Sequence, residues 1–345
     1  MINKLKSKLD GNNFLLVITI LLFMVLYLAG IIVFGEKNFG KPQVFFNLFV
    51  NNAGLLIAAA GMTMVLITGG IDISIGSVIG MTCMLLAWMM ERRGISAGVS
   101  IVIVLMVGCV FGLVQGFFVA YLKIQPFIVT LAGMFFARGM TAIISSDMIS
   151  ITNTDFLAIA NAKLYLPILG TVNKKGVTVY PYIYPSVIIA LVVLIIIFLV
   201  MKYTAFGRSI YAVGGNEQSA LLMGLNVKRT KLKVYVLNGF LAALAGFAFC
   251  LNSCGGFVEQ ARGFEMDAIA SAVIGGTLLT GGVGNVVGSL FGVLIKGTIE
   301  SLITFQGTLS SWWTKIAIAA LLCFFIILQS LFASFKNKKI KSKSL

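Results

Sequence analysis

The chain has 345 residues, 59% of them apolar and only 11% charged, with a mean hydropathy of +1.04. Soluble domains carry about a quarter charged residues, so this composition excludes an ordinary soluble enzyme, and the disordered, collagen-like and disulfide-scaffold classes with it. The 26 Lys and Arg against 11 Asp and Glu leave a net charge of +15. That excess lies mostly in short polar segments between apolar runs, the pattern of an integral membrane protein rather than a nucleic-acid binder.

The uncharged run from Phe14 to Gly35 is longer than a signal-peptide core and reads as a retained first span. Lys4, Lys6 and Lys8 precede it, and Lys336, Lys338, Lys339, Lys341 and Lys343 follow the last apolar run. Both termini are therefore expected in the cytoplasm, which asks for an even number of spans. The same basic tail also suits anionic membrane lipid. In chain order the runs are 14–35, 44–68, 71–90, 97–122, 126–146, 184–201, 233–253, 266–280, 284–305 and 312–335. The expected fold is an all-α polytopic membrane protein of about ten transmembrane helices, one transmembrane domain over 1–345. Glycine is dense at 69–80 and 281–292, where broken or re-entrant helices are expected. The polar segment 147–183 is expected outside the membrane, and 202–232, with Lys202, Arg208, Lys228, Arg229 and Lys231, in the cytoplasm.

Residues 67–80 (ITGGIDISIGSVIG) and 279–292 (LTGGVGNVVGSLFG) align at an offset of 212. The same offset lays the first span on the seventh and the fourth on the tenth. This reads as a parallel internal repeat, with halves at about 1–123 and 213–335 and an insertion at 124–212. Transporters are commonly built from such repeats, with broken helices meeting near the membrane centre. Two unrelated small-residue packing motifs are the alternative.

Asp72 sits in the first of these segments. A carboxylate near hydrocarbon is costly, so it faces either a cavity or a partner. One reading puts Gly69, Gly70, Asp72, Ser74, Ser77, Phe127, Gly281, Gly282 and Asn285 on a solute path. The other makes Asp72 a cap of the third helix at the membrane surface. Lys296 and Glu300, spaced i,i+4, read as an ion pair within the ninth span. Arg138 in the fifth span has no evident role.

The chain has no histidine, which excludes the usual zinc and Ser-His catalytic sites, and no catalytic or metal-ligating residue is assigned. The five cysteines, Cys250 and Cys254 among them, read as packing residues. No G-x-x-x-x-G-K-[ST] loop is present, so nucleotide hydrolysis would have to come from another polypeptide. In the loop 203–227, Asn216 as N-cap, Glu217 in the first turn and Gly224 as a stop frame a short helix at 217–223. Leu221, Leu222 and Met223 would be exposed on it. So apolar a helix in a solvated loop is suited to a groove of a soluble partner, or else to the bilayer surface.

Four stretches together carry a family resemblance: Gly69-Gly70-Ile71-Asp72-Ile73-Ser74-Ile75-Gly76-Ser77; Lys123 to Leu131, KIQPFIVTL; Thr204-Ala205-Phe206-Gly207-Arg208 through Gly214-Gly215-Asn216-Glu217 to Gly224; and Asp267-Ala268-Ile269-Ala270 through Gly275-Gly276 to Gly281-Gly282-Val283-Gly284. In order and nearly end to end, the chain resembles the permease subunits of bacterial ABC importers for monosaccharides of the ribose, xylose and galactofuranose type. Leu278-Leu279-Thr280 departs from that family, which more often has Ser and an aromatic there. The resemblance implies a pathway for a monosaccharide across the cytoplasmic (inner) membrane. It further implies a second permease copy or paralogue, cytoplasmic ATP-binding subunits that hold ATP and Mg, and an extracellular or periplasmic sugar-binding protein. No cofactor is expected in this chain. The family's ATPase-coupling segment would fall on Gly207, Arg208, Gly214, Gly215, Asn216, Glu217, Leu221, Leu222 and Gly224. An amino-acid ABC permease, an ion-coupled secondary transporter and a scaffold without transport are the alternatives.

Overall fold

A computed structural model describes residues 11–172, 178–310 and 312–341. Lys4, Lys6, Lys8, Lys174, Lys175 and Lys343 lie outside the described residues. The helices are α1 (Gly11–Val33), α2 (Pro42–Ile67), α3 (Ile75–Glu91), α4 (Ala97–Ala120), α5 (Pro126–Ile144), α6 (Thr154–Asn161), α7 (Pro185–Tyr203), α8 (Ala205–Gly215), α9 (Glu217–Leu222), α10 (Val227–Ser253), α11 (Phe264–Ile274), α12 (Val286–Gln306) and α13 (Trp312–Lys341). Proline opens α2, α5 and α7, where its missing N–H costs nothing and its fixed φ suits the first turn.

Among the described residues, eight helices (α1, α2, α4, α5, α7, α10, α12 and α13) are long and apolar enough to cross a bilayer. The other two expected spans are shorter. The run 71–90 gives α3, 17 residues and about 25 Å long, and the run 266–280 gives α11, 11 residues and about 16 Å. Hydropathy overstates both because it does not register the non-helical stretches 68–74 and 275–285, which interrupt the chain between α2 and α3 and between α11 and α12.

α2 is the central post: beyond its first turns nearly every residue is buried, packed among α7, α10, α11 and α12. α4 lies along α10 through Gly108, Gly112 and Gly116, spaced i,i+4, with Gly239 opposite. A Cβ on Gly116 would lie 2.9 Å from Cβ of Tyr235, so bare glycine faces let these backbones approach. α1 and α4 turn aliphatic side chains outward, such as Leu21, Val25, Leu28, Val102, Met106 and Val110, as lipid requires.

α3 runs from the first Gly-rich stretch to Glu91, whose carboxylate accepts from Thr152 N (2.7 Å), Thr152 Oγ1 (2.6 Å) and Asn153 N (3.0 Å). The segment 147–183 therefore sits at the end of the bundle opposite the Gly-rich turns. Among its described residues it holds α6 and two antiparallel ladders, β2 (Leu164–Tyr165) with β5 (Tyr182–Ile183) and β3 (Thr171–Val172) with β4 (Thr178–Val179), while its β1 (Ile149–Ser150) pairs with β6 (Gly255–Gly256) after α10.

From β6 the chain turns back into the bundle over 257–263 before α11 begins. Here Arg138 acquires a role. Its guanidinium donates to Val258 O (2.6 Å) and Gln260 O (2.8 Å), satisfying carbonyls that no helix ladder serves. Non-helical backbone at membrane depth is tolerated where protein supplies its partners. Arg138→Met strips both carbonyls of a charged donor, each such bond being worth about 1.5–3 kcal/mol. The expected result is reduced accumulation in the membrane and a melting temperature several degrees lower in detergent; an unchanged melting curve would remove this anchor role.

Candidate functional site

Three pairs of consecutive glycines converge at one end of the bundle: Gly69-Gly70 after α2, Gly214-Gly215 at the end of α8, and Gly281-Gly282 after α11. Gly69, Gly281 and Gly282 have φ of +78°, +85° and +76°, conformations that side chains with a Cβ rarely adopt. Gly282 N donates to Ile67 O (2.8 Å), joining the two Gly-rich turns. Gly214 lies directly against that hydrogen bond, and an added Cβ would strike Ile67 O and come within 2.7 Å of Gly282 N.

These turns frame a polar cavity of about 440 Å³ whose wall includes Thr68, Gly69, Gly70, Gly214, Gly215, Asn216, Glu217, Lys231, Tyr235 and Thr280. Gly69 and Gly70 of the expected path thus share a wall with Gly214, Gly215, Asn216 and Glu217 of the expected coupling segment. Gly281 and Gly282 pack behind that wall, and Asn285 is the N-cap of α12, its Oδ1 accepting from Val287 N (2.9 Å). Phe127 is exposed on the outer side of α5, while the adjacent Pro126 reaches the cavity.

Asp72, Ser74 and Ser77 lie elsewhere. All three are buried and none lines this cavity. Asp72 Oδ1 accepts from Ser74 N (2.8 Å) and Ser74 Oγ (2.6 Å), and its Oδ2 accepts from Asn238 Nδ2 (2.6 Å). Gln115 Nε2 in turn donates to Ser74 Oγ (2.9 Å). Asn238 is eleven residues into α10, about 16 Å from its start, so this network sits at mid-bundle depth. The N-cap position of α3 belongs to Ser74, and Asp72 instead holds the broken segment to α4 and α10. Asp72→Leu leaves a buried N–H and a buried amide without acceptors, at about 1–3 kcal/mol each, and should sharply lower membrane accumulation. Asp72→Asn keeps the Ser74 bonds and needs only the Asn238 amide to turn over, so its accumulation should stay near wild type. Equal behaviour of the two variants in an immunoblot of membranes would discount the network.

The expected short helix is present as α9, Glu217–Leu222, with Asn216 Oδ1 accepting from Ser219 N (2.8 Å) and Gly224 at φ +80° ending it. Ala220 tucks inward onto Val213 and Val227, while Leu221, Leu222 and Met223 are 64%, 88% and 68% exposed. Glu217 is held within the chain by Lys231 at 2.6 Å.

The sequence reading does not anticipate α8. Thr204 caps it, accepting from Gly207 N (3.1 Å), and Arg208 Nη1 returns to Tyr203 O (3.3 Å). The signal for it lay in Phe206, Ile210 and Val213, spaced i, i+4, i+7. Tyr211 Oη donates to Gly284 O (2.9 Å), tying α8 to the second Gly-rich turn. Tyr211, Lys231 and Tyr235 are thus functional candidates that sequence reasoning missed. The α8–α9 segment is braced against both turns, through Gly214 on the Ile67–Gly282 hydrogen bond and Tyr211 on Gly284.

Residues 44–326 match the family described as branched-chain amino acid transport system / permease component. The chain belongs to this permease family. Among curated relatives, it is 44% identical over 318 residues to the inner membrane ABC transporter permease protein YjfF of Escherichia coli (strain K12), covering 92% of each chain. It is 35% identical over 333 residues to the fructose import permease protein FruG of Bifidobacterium longum (strain NCC 2705), covering 95% of each. Against the ribose import permease protein RbsC of Escherichia coli (strain K12) the identity is 34% over 309 residues, covering 90% of this chain and 92% of that one. No solved structure matches. Members of this family are permease subunits of importers and not themselves enzymes.

Proposed function

We propose that this permease forms the pathway by which a monosaccharide, delivered by an external solute-binding protein, enters the cell through ATP hydrolysis by a separate cytoplasmic subunit. The observation that carries the reading is the exposed Leu221-Leu222-Met223 tip on a helix braced to both Gly-rich turns, an arrangement fit to transmit the motion of a docked partner. The names of the fructose and ribose permeases support a sugar over an amino acid. In this reading the α8–α9 end faces the cytoplasm, both termini lie there, and the 147–183 segment faces outward. A second copy or a paralogue completes the pore in the bacterial cytoplasmic membrane, and ATP with Mg is held by the ATPase.

Co-reconstitution of the permease with the ATPase and binding protein found alongside it tests this. Expected is uptake of a labelled monosaccharide that requires internal-face ATP and the binding protein. Uptake driven by a sodium or pH gradient with no ATPase present would overturn it.

A further inference from the structure

At the end opposite the Gly-rich turns, α2 and α12 present a face that lipid would not tolerate. Among the residues of α2 only Asn47 and Asn51 are exposed, one turn apart on the same side. On α12 the single exposed residue is Thr304. Asn51 lies nine residues into α2, about 14 Å along the helix, whereas the large side chains that α1 and α4 expose, such as Leu21, Val25, Met106 and Val110, are apolar. Amides and hydroxyls at such depth mark an aqueous lining.

Asn51 lines two neighbouring cavities. One, of about 220 Å³, lies between α2 and α12 and includes Asn47, Glu300, Ser301 and Phe305; the other, of about 510 Å³, reaches Asn252, Tyr184 and Phe249. Together they fall within the ~300–1,000 Å³ of small-molecule sites. Asn252 Nδ2 is committed to Val50 O (2.9 Å), which turns its carbonyl oxygen free, and one oxygen of Glu300 is taken by Lys296 (2.6 Å). The walls thus alternate amide donors and acceptors, a carboxylate oxygen and aromatic surface. Lys296, 9% exposed, is also met by Asp267 (3.7 Å) and Asn52 Oδ1 (3.4 Å). The two carboxylates outnumber the ammonium, neither cavity has a Lys or Arg in its lining, and the nearby Lys37 Nζ is committed to Phe305 O (2.6 Å), so an anion or the α-carboxylate of an amino acid meets no lining cation.

We propose that these two neighbouring cavities form the outward-facing binding site for an uncharged polyol of monosaccharide size, with Asn51 between them. Vicinal hydroxyls, each donor and acceptor at once, match paired amides and a carboxylate, and the apolar face of a sugar ring suits Tyr184 and Phe249. The proposal deepens the sugar-permease reading and rests on it.

Full-length permease carrying Asn51→Cys with Cys254→Ser, in right-side-out membrane vesicles, is treated with a membrane-impermeant maleimide. Expected is rapid labelling that an imported monosaccharide at millimolar concentration slows at least fivefold and L-leucine does not; Val25→Cys on the α1 lipid face stays unlabelled. Labelling indifferent to every imported sugar, absence of labelling, or protection by leucine alone would each overturn the site. In the complete transporter, Asn51→Leu should raise the half-saturating sugar-loaded binding protein or lower maximal uptake at least tenfold at unchanged membrane accumulation; normal uptake would also overturn it. Protection is read without ATP. Sugar protection in a protein that never imports sugar therefore rejects the transport reading alone, and import without protection rejects the site alone.

Discussion

Gly214→Ala is expected to reduce ATP-driven uptake by at least tenfold, while Gly215→Ala one residue on leaves it intact. The two glycines differ in what a methyl group would meet. At Gly215 there is nothing within 4 Å; at Gly214 the new Cβ collides with Ile67 O and Gly282 N, the acceptor and donor of the hydrogen bond that joins the two Gly-rich turns. Both obstacles are backbone, so no side chain can swing aside. Either α8 retreats from the turns or the Gly282–Ile67 bond opens. Overpacking of this kind costs about 1–3 kcal/mol, and a lost hydrogen bond about 1 kcal/mol more. A 345-residue chain absorbs that as a modest drop in melting temperature. The larger loss is mechanical, because α8 is the piece of chain through which α9 reaches both broken helices. The assay pair is uptake together with basal ATPase activity of the assembled transporter. Uptake lost with the ATPase still bound is the expected signature, and equal uptake by the two alanine variants would refute it.

The eight long apolar helices are legible because hydropathy reports where a chain can lie in lipid, and the two Gly-rich segments are legible because their glycine spacing recurs at one offset. The limits of that reading are visible at particular residues. The run 266–280 reads as a span although α11 stops at Ile274, since Gly275, Gly276 and Thr277 are hydropathically acceptable in a helix but here form a turn. Asp72 left two readings open, and its actual partner, Asn238, stands 166 residues away on another helix. Arg138 could not be interpreted until the return segment 257–263 brought two carbonyls to it. Asn47 and Asn51 are plain in the sequence as polar residues inside an apolar run, and their i,i+4 spacing puts them on one face. Which face was open is a tertiary fact, decided by the helices that bury the rest of α2.

Leu221→Asp combined with Leu222→Asp should abolish recovery of the ATPase with tagged permease, a loss of association of a hundredfold or more. Interface energy concentrates in a few packed side chains, and these two project from a six-residue helix too short to hold itself together without tertiary support. That support comes from the other side of α9: Ala220 against Val213 and Val227, the Asn216 cap, and the Glu217–Lys231 pair. None of these involves the Leu221 or Leu222 side chain, so the double variant should insert and fold as wild type does. Two carboxylates carried into a partner's apolar cleft would each meet the cost of burying an unpaired charge. Glu217→Gln makes a useful contrast. It removes a partly exposed ion pair worth up to about 1 kcal/mol, so recovery should fall only severalfold. If the double variant retains both full ATPase recovery and sugar-stimulated hydrolysis, Leu221 and Leu222 rest on the bilayer surface, and the route from nucleotide to broken helices must run through another part of the loop.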